Sequence, residues 1–258
     1  MFRWLMPAVL VVAACSEEPR LNGEVVDIWG NPIEGATVVM EGQSERPLTD
    51  HTGRFSLPLA AGKHKMKAGR EGYIQEHQEV EVPADVTAET APKVIFKLYK
   101  KPEEAGFYVV DTNDYVRLEP ALVGMVGNEL QRFRGLTSVG ENSVQGTQIR
   151  VLFHTPLKLD QVMRLGMQLH HLDYVSQAKM VGPIEEAMVD VKLWTSQDIV
   201  PIEITPLRSR NDYLITSADG LAAGGYAFDT QGMLSGASDD SFHEIPEPLR
   251  VAYPIELR

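Results

Sequence analysis

Residues 21–40 read Leu21-Asn-Gly-Glu-Val-Val-Asp-Ile-Trp-Gly-Asn-Pro-Ile-Glu-Gly-Ala-Thr-Val-Val-Met40, and they decide the fold of the first part of the chain. Two runs in which apolar and polar residues alternate flank a turn rich in glycine and proline. Glycine tolerates positive φ and proline fixes φ, so Gly30-Asn-Pro-Ile33 predicts a tight turn. The alternation places Val38 and Met40 on one face of a strand. The stretch therefore predicts two short β-strands joined by a turn.

The same pattern continues to residue 100. Further short runs with turn residues between them are predicted as strands: Arg54–Leu57, Lys63–Ala68, a short strand at Tyr73, Glu76–Glu81 and Val94–Tyr99. Their spacing is typical of all-β domains, and helical periodicity is absent. Seven short strands predict an antiparallel β-sandwich over residues 20–100.

The residues at the turns of this segment also resemble a known family. The resemblance is carried by Gly23-Glu-Val-Val-Asp27, Gly30-Asn-Pro-Ile33, Gly35-Ala-Thr-Val38, Thr49-Asp50, Gly53-Arg-Phe55, Gly62 and Gly72-Tyr73. In order and spacing they resemble the carboxypeptidase regulatory-like domain, a transthyretin-like seven-stranded sandwich. The resemblance implies a non-catalytic folding or interaction module, with no binding site carried over.

Residues 1–14 are predicted to be a lipoprotein signal peptide. Arg3 precedes an apolar run that is too short to span a bilayer as a helix. The run ends in Val12-Ala13-Ala14-Cys15, which resembles the lipobox of bacterial lipoproteins. The resemblance implies that Cys15 is acylated and becomes the mature N-terminus, with residues 15–19 as a lipidated tether. The alternative is an ordinary secretory signal with a chance cysteine.

A lipid anchor at Cys15 would place the protein in the cell envelope, because two or more acyl chains anchor a protein stably. Ser16 stands where an aspartate retains lipoproteins at the inner membrane in enterobacteria-like systems. Its identity favours the outer membrane. We therefore expect the protein to bind the membrane through its lipid anchor and to have envelope proteins as partners.

The composition excludes several classes of protein. The 258 residues carry a formal net charge of −12, are 43% apolar and 23% charged, and include one cysteine. These values are typical of a globular protein with one or two domains. The acidic balance excludes non-specific nucleic-acid binding, which needs a basic face. The single cysteine excludes an internal disulfide and a multi-cysteine metal site.

Residues 101–106 are polar and contain proline and glycine, which predicts a linker. Residues 107–258 are predicted to form a second β-rich domain with one or two short helices. The alternating runs predicted as strands are Phe107–Asp111, Tyr115–Leu118, Gln148–His154, Ala187–Trp194, Val200–Thr205, Tyr213–Thr216, Tyr226–Asp229 and Leu249–Leu257.

Two segments of the second domain show helical spacing. Val162, Leu165, Leu169 and Leu172 recur at intervals of three and four, which predicts one helix. Gly166 weakens this helix, so a strand is the alternative. Residues 122–133 could hold a second short helix.

No motif for a metal site is present, and no cofactor is predicted. The candidate metal ligands are His154, His170, His171 and Asp173. If the helix forms, His170 and Asp173 share one of its faces at i and i+3, as ligands of a zinc site would. The alternative is that these are surface or boundary residues without a metal.

Signals for other chemistry are equally sparse. The Gly-x-Ser-x-Gly motif of serine hydrolases is absent, and a thiol nucleophile is excluded once Cys15 carries lipid. The turn Asp111–Asp114 could supply oxygens to calcium, although turn formation alone explains it. Trp29 and Trp194 are candidate ligand or interface contacts, with packing as the alternative.

The sequence as a whole predicts a non-catalytic envelope lipoprotein that acts as a binding or scaffolding module at the membrane surface. The alternative is a carbohydrate-binding or carbohydrate-processing envelope protein that uses the second domain. Carbohydrate processing needs two carboxyl groups at a defined separation. Glu185 with Glu186, or Glu203 with Asp229, are the pairs available.

Overall fold

The computed structural model of the protein describes residues 20–87, 90–128, 130–140, 142–182, 186–235 and 239–258, with the backbone alone at 239–241. The chain divides into two compact units, one ending at Tyr99 and the other beginning at Lys100. Strands dominate both units, so the mainly-β prediction is confirmed. Within the described ranges, no helix is long and apolar enough to cross a membrane.

The first unit contains six strands in its described part. They are β1 (Arg20–Asp27), β2 (Thr37–Met40), β3 (Arg54–Pro58), β4 (Gly62–Gly69), β5 (Glu76–Val82) and β6 (Val94–Leu98). One sheet has the order β3-β1-β6 and the other has the order β2-β4-β5.

Alternation along the strands builds the core between these two sheets. The completely buried apolar side chains of the strands are Leu21, Val25, Val38, Met40, Leu57, Phe96 and Leu98. They belong to one apolar cluster, and each contributes about 1.5–3 kcal/mol by leaving water. The predicted sandwich and the inward faces of its strands are confirmed.

The sandwich differs from the sequence expectation in two details. The short strand expected at Tyr73 does not form, so six strands are described where seven were expected. The sheets are also not wholly antiparallel, because β1 pairs with β6 in parallel. These are the first and last strands of the unit, and parallel pairing requires a long crossover. Local sequence patterns carry no signal for such a pairing.

The second unit contains twelve strands and three short helices in its described part. In chain order they are β7 (Gly106–Val110), β8 (Tyr115–Arg117), β9 (Ala121–Gly127), β10 (Arg132–Leu136), β11 (Ser143–Val144), β12 (Arg150–His154), α1 (Leu159–Arg164), β13 (Gln168–Val181), β14 (Glu186–Val200), β15 (Ile202–Pro206), β16 (Asp212–Ser217), β17 (Gly224–Asp229), α2 (Asp239–Glu244), a 3-10 turn (Glu247–Leu249) and β18 (Val251–Leu257).

These strands form two sheets. A five-stranded sheet has the order β15-β16-β12-β7-β8. A seven-stranded sheet has the order β11-β18-β17-β13-β14-β10-β9, and a further pairing of β18 with β9 closes it on itself. We call it the closed sheet. Because side chains alternate across a strand, one sheet can contribute to two cores.

Strand β17 shows how the closed sheet serves two cores. Tyr226 and Phe228 join the larger apolar cluster together with residues of the five-stranded sheet. Ala227, between them in sequence, joins a second cluster that includes Leu234 and Phe242. The strand is therefore buried on both faces, which matches its nearly continuous apolar sequence.

The helix predicted from Val162 to Leu172 is wrong beyond its first three residues. Helix α1 ends at Arg164, and Leu169 and Leu172 lie on β13 instead. Gly166 has φ of +57°, a left-handed conformation that terminates a helix. The helix considered for residues 122–133 is also wrong, because β9 and β10 form an antiparallel hairpin there. The second short helix is α2, which the periodicity did not indicate.

Candidate functional site

Three neighbouring strands of the closed sheet bring together a serine, a histidine and an aspartate. Nδ1 of His170 on β13 lies 2.8 Å from Oγ of Ser196 on β14, and its Nε2 lies 3.1 Å from Oδ1 of Asp229 on β17. Both His170 and Asp229 are completely buried. Oδ2 of Asp229 accepts a 2.7 Å hydrogen bond from the backbone N–H of Leu234. Both ring nitrogens and both carboxylate oxygens therefore have partners.

The register of the strands explains this arrangement. Asp229 faces Gln168 and Ser196 faces Leu172, and these two residues flank His170 at i−2 and i+2 on β13. Residues two apart share a face, and cross-strand partners share it too. The ladder of β13 and β14 shifts by one residue between His171 and Leu172. That shift turns Ser196 onto the face of His170.

The hydrogen bonds indicate which atoms of this network carry protons. A carboxylate only accepts, so Nε2 of His170 donates to Asp229. In the neutral ring Nδ1 is then an acceptor, and the hydroxyl of Ser196 donates to it. The order serine–histidine–carboxylate is that of serine hydrolases, although here the serine binds Nδ1. The arrangement polarises one hydroxyl and joins β14, β13 and β17.

A surface groove lies close to this network in sequence but does not contain its reactive atoms. The groove has a volume of about 550 Å³, and Thr230, Met233 and Leu249 are among its lining residues. Neither Ser196 nor His170 lines it. Acyl transfer requires donors around an oxyanion and room for the acyl group beside the nucleophile. This groove does not provide that room at Ser196.

A second histidine–aspartate pair lies in the five-stranded sheet. His154 ends β12, Asp212 begins β16, and the two residues face each other in the ladder. Nδ1 of His154 lies 2.7 Å from Oδ1 of Asp212, and Oδ2 of Asp212 accepts a hydrogen bond from the hydroxyl of Ser209. Asp212 is completely buried, whereas the side chain of His154 remains 14% exposed. This pair therefore borders solvent on one side.

The candidate metal ligands are not brought together. His170, His171 and Asp173 lie on a strand instead of a helix, so His170 and His171 face opposite sides of the sheet. Asp173 is exposed, and His154 belongs to the other sheet with Asp212 as its partner. Across the described ranges, no group of three or more histidine, cysteine, aspartate or glutamate side chains could hold a metal ion.

The two candidate tryptophans lie in different units, and both are half-buried. Trp29 lies in the turn after β1, where its backbone N–H donates to Oδ1 of Asp27. The ring of Trp194 packs against the second core cluster, with its centroid 5.6 Å from that of Tyr174. The exposed aromatic side chain of this pair is Tyr174.

The acidic residues considered as calcium ligands stabilise a turn, and two of the carboxyl groups considered for carbohydrate processing lie in different sheets. Oδ1 of Asp114 accepts from the backbone N–H of Tyr115, and the carboxylate of Asp111 accepts from Thr112. Glu203 is exposed on the five-stranded sheet, whereas Asp229 is bound to His170 in the closed sheet. Glu203 and Asp229 therefore do not form a pair of carboxyls facing one cleft.

Several predicted residues lie outside the described residues. They are Val12, Ala13, Ala14 and Cys15 of the lipobox, and Glu185 of the candidate carboxyl pair. Sequence reasoning also missed Ser196, Ser209 and Asp212 entirely. The signal available for the two buried aspartates was a charged residue at the end of a strongly apolar run: Asp212 before Tyr-Leu-Ile, and Asp229 after Tyr-Ala-Phe.

Residues 20–94 match the family model of the carboxypeptidase regulatory-like domain. This match covers β1 to the first residue of β6, which is nearly all of the described part of the first unit. The family resemblance of the turn glycines is confirmed for this segment. A comparison with curated proteins gives no match.

Two solved structures are similar to the chain at low identity. A proposed carbohydrate-binding protein from Bacteroides uniformis is 12% identical, with 82% of this chain and 87% of that chain covered, at a TM-score of 0.24. BcpA, the major pilin subunit of Bacillus cereus, is 11% identical, with 93% and 67% covered, at a TM-score of 0.27. At these TM-scores neither likeness carries an argument about function.

Proposed function

We propose that the protein is a non-catalytic lipoprotein of the cell envelope, and that it serves as a binding or scaffolding module at the membrane surface. The observation that carries this proposal is the carboxypeptidase regulatory-like domain at residues 20–94, which is separated by four residues from the lipobox-like Val12–Cys15. The order of these elements supports an anchor, a short tether and a folded module on the membrane surface.

The turns of the first unit support a structural role for its family motif. Oδ1 of Asp27 accepts hydrogen bonds from the backbone N–H groups of Trp29 and Asn31, at 2.9 and 2.8 Å. Oδ1 of Asp50 accepts from the backbone N–H groups of Thr52 and Arg54. Both carboxylates are used to hold their own turns, as is common for aspartate in loops. These hydrogen bonds give both carboxylates a structural role in their turns.

The buried network around His170 is also consistent with a non-catalytic second unit. Its four polar atoms on His170 and Asp229 are satisfied within the protein, and they tie three strands together. A catalytic histidine must exchange protons with a bound substrate. Complete burial of His170 favours a structural role over proton transfer to a substrate.

Anchoring to the outer membrane and binding of envelope proteins complete the proposal. Removal of residues 1–14 takes away Arg3, so the mature chain is one charge more negative than −12. Such a surface gains nothing from anionic lipid headgroups beyond the anchor itself. A basic envelope protein, or a partner bridged by divalent ions, fits this charge.

Fractionation of cells that express the full chain tests the anchor. Cys15→Ala should move the protein from the membrane to the soluble fraction, because the acyl chains supply the membrane affinity. Ser16→Ala is the matched control and should leave the protein in the membrane fraction. Membrane association that survives Cys15→Ala would contradict the lipid anchor.

Labelling with a fluorophosphonate probe tests the absence of serine-hydrolase activity separately. The wild-type chain should show no labelling above that of Ser196→Ala, because the probe reacts with activated nucleophilic serines. A signal that disappears in Ser196→Ala would show a reactive serine and overturn the non-catalytic assignment. It would leave the anchor unaffected.

A further inference from the structure

The long strands β13 and β14 extend beyond the rest of the closed sheet as a two-stranded arm. We define the arm as Val175–Val181 of β13 and Glu186–Leu193 of β14, which pair with each other along their length. Strand β17 pairs with β13 only over Gln168–Leu172. Beyond Leu172, the outer edge of β13 therefore has no neighbouring strand among the described residues.

The two edges of the arm differ in regularity. The ladder shifts register between Val175 and Gln177, where two residues of β14 oppose one residue of β13. One of these two, Lys192, has φ of +53°, so the bulge lies on β14 and interrupts its edge. The edge of β13 is continuous until Val181, where the side chains of Asn128 and Gln131 bind the backbone.

A regular and unpaired edge can accept another strand through its backbone N–H and C=O groups. Asp173, Tyr174, Ser176, Gln177 and Lys179 are all exposed along this edge. Within the arm, Lys179 forms an ion pair with Glu186. Asp173 has a negative charge at one end of the edge, and Lys179 has a positive charge at the other.

This charge order is complementary to itself. When a strand pairs antiparallel with a second copy of itself, the numbers of any two residues that face each other add up to the same total. A register centred on Ser176 places Asp173 of each copy opposite Lys179 of the other, and Tyr174 opposite Ala178. Cross-strand partners lie about 4.5–5.5 Å apart, so the two opposite charges meet directly. A slip by one residue in either direction loses both ion pairs.

We propose that two copies of this chain associate through the outer edges of β13, antiparallel and centred on Ser176. The assembly has two-fold symmetry, so every contact occurs twice. The small side chain of Ala178 leaves room for the exposed ring of Tyr174 from the other copy. The proposal concerns self-association of the second unit, and it stands whether or not Cys15 carries lipid.

Disulfide trapping in the full chain tests the register. In a pair centred on Ser176, the two copies of this residue face each other at Cα separations of about 4.5–5.5 Å, which a disulfide can span. Ser176→Cys should therefore yield a covalent dimer under mild oxidation. Ala187→Cys, exposed on β14 of the same arm, is the matched control and should yield several-fold less. Oxidation of the wild-type chain shows how much covalent dimer forms through Cys15 alone.

Charge reversal in the Ser176→Cys background tests the ion pairs. Asp173→Lys alone should reduce the dimer about three- to tenfold, because it places like charges opposite each other twice. Adding Lys179→Asp should restore the yield, since it recreates the two opposite-charge pairs in reverse. Equal trapping by Ala187→Cys, or a double variant no better than Asp173→Lys, would overturn the proposed pairing.

Discussion

The buried carboxylates of the two units obtain their hydrogen-bond partners from different distances along the chain. In the first unit, Asp27 accepts hydrogen bonds from residues two and four positions along the chain. In the second unit, Asp212 and Asp229 bind histidines that lie 58 and 59 positions away. The buried carboxylate of Asp27 is thus satisfied within its own turn. Those of Asp212 and Asp229 need histidines from distant strands in addition to a nearby partner.

This difference predicts different responses to mutation. Removal of a local partner in the first unit disturbs one turn that remains close to water. Removal of a distant partner in the second unit leaves a buried polar group unsatisfied between strands, which costs more. Chemical denaturation followed by hydrogen-exchange mass spectrometry can compare the two, because each unit is observed through its own peptides.

Asp229→Ala should have the largest effect. It leaves Nε2 of His170 and the N–H of Leu234 without an acceptor in a completely buried site. The second unit should lose about 3 kcal/mol of unfolding free energy, while the first unit keeps its stability. Asp229→Asn retains an acceptor oxygen and should lose markedly less. Equal losses in the two variants would contradict the role given to these hydrogen bonds.

Asp212→Ala should destabilise the second unit less, by about 2 kcal/mol. The side chain of His154 is 14% exposed, so water can replace part of the lost hydrogen bond. The same denaturation experiment ranks the two pairs directly. An effect of Asp212→Ala larger than that of Asp229→Ala would show that solvent access does not set the difference between them.

Alanine substitutions at two glycines of the first unit test conformational strain and close packing separately. Gly30 and Gly53 have φ of +91° and +75°, which other residues adopt at a cost. A Cβ at Gly30 meets nothing within 4 Å, whereas at Gly53 it would lie 2.6 Å from the carbonyl oxygen of Val25. Gly30→Ala should cost about 1 kcal/mol and Gly53→Ala about 2 kcal/mol. Equal losses would mean that the strand shifts freely around Gly53.

The first unit was largely predictable because its signals are short-range. Gly30 and Gly53 mark turns, and the alternation through Val38 and Met40 gives the buried face directly. The parallel pairing of β1 with β6 was not predictable, since it joins the ends of the unit. The direction of a strand pair depends on the path of the chain between its members.

The candidate site of the second unit could not be predicted for the same physical reason. Helical spacing through Leu169 and Leu172 was outweighed by the left-handed conformation at Gly166 and by pairing with two neighbouring strands. His170 was therefore found, but in the wrong element and with the wrong partners. Ser196 reaches it only through the register shift between β13 and β14, which no local pattern encodes.

The turn at Asp50 offers the smallest and most local test, through pH. The hydrogen bond from the Thr52 side chain, followed by the backbone N–H of Arg54, lowers the pKa of Asp50 below its usual value. A lowered pKa in the folded state means that the ionised carboxylate stabilises the first unit above the unfolded value of about 4. This contribution is lost as pH falls through the folded pKa. Asp50→Asn should therefore melt at a slightly lower temperature than wild type at pH 6, with a difference that shrinks towards pH 2. A difference in the melting temperature of the first unit that does not change with pH would show that the charge of Asp50 contributes nothing, and that only its geometry holds the turn.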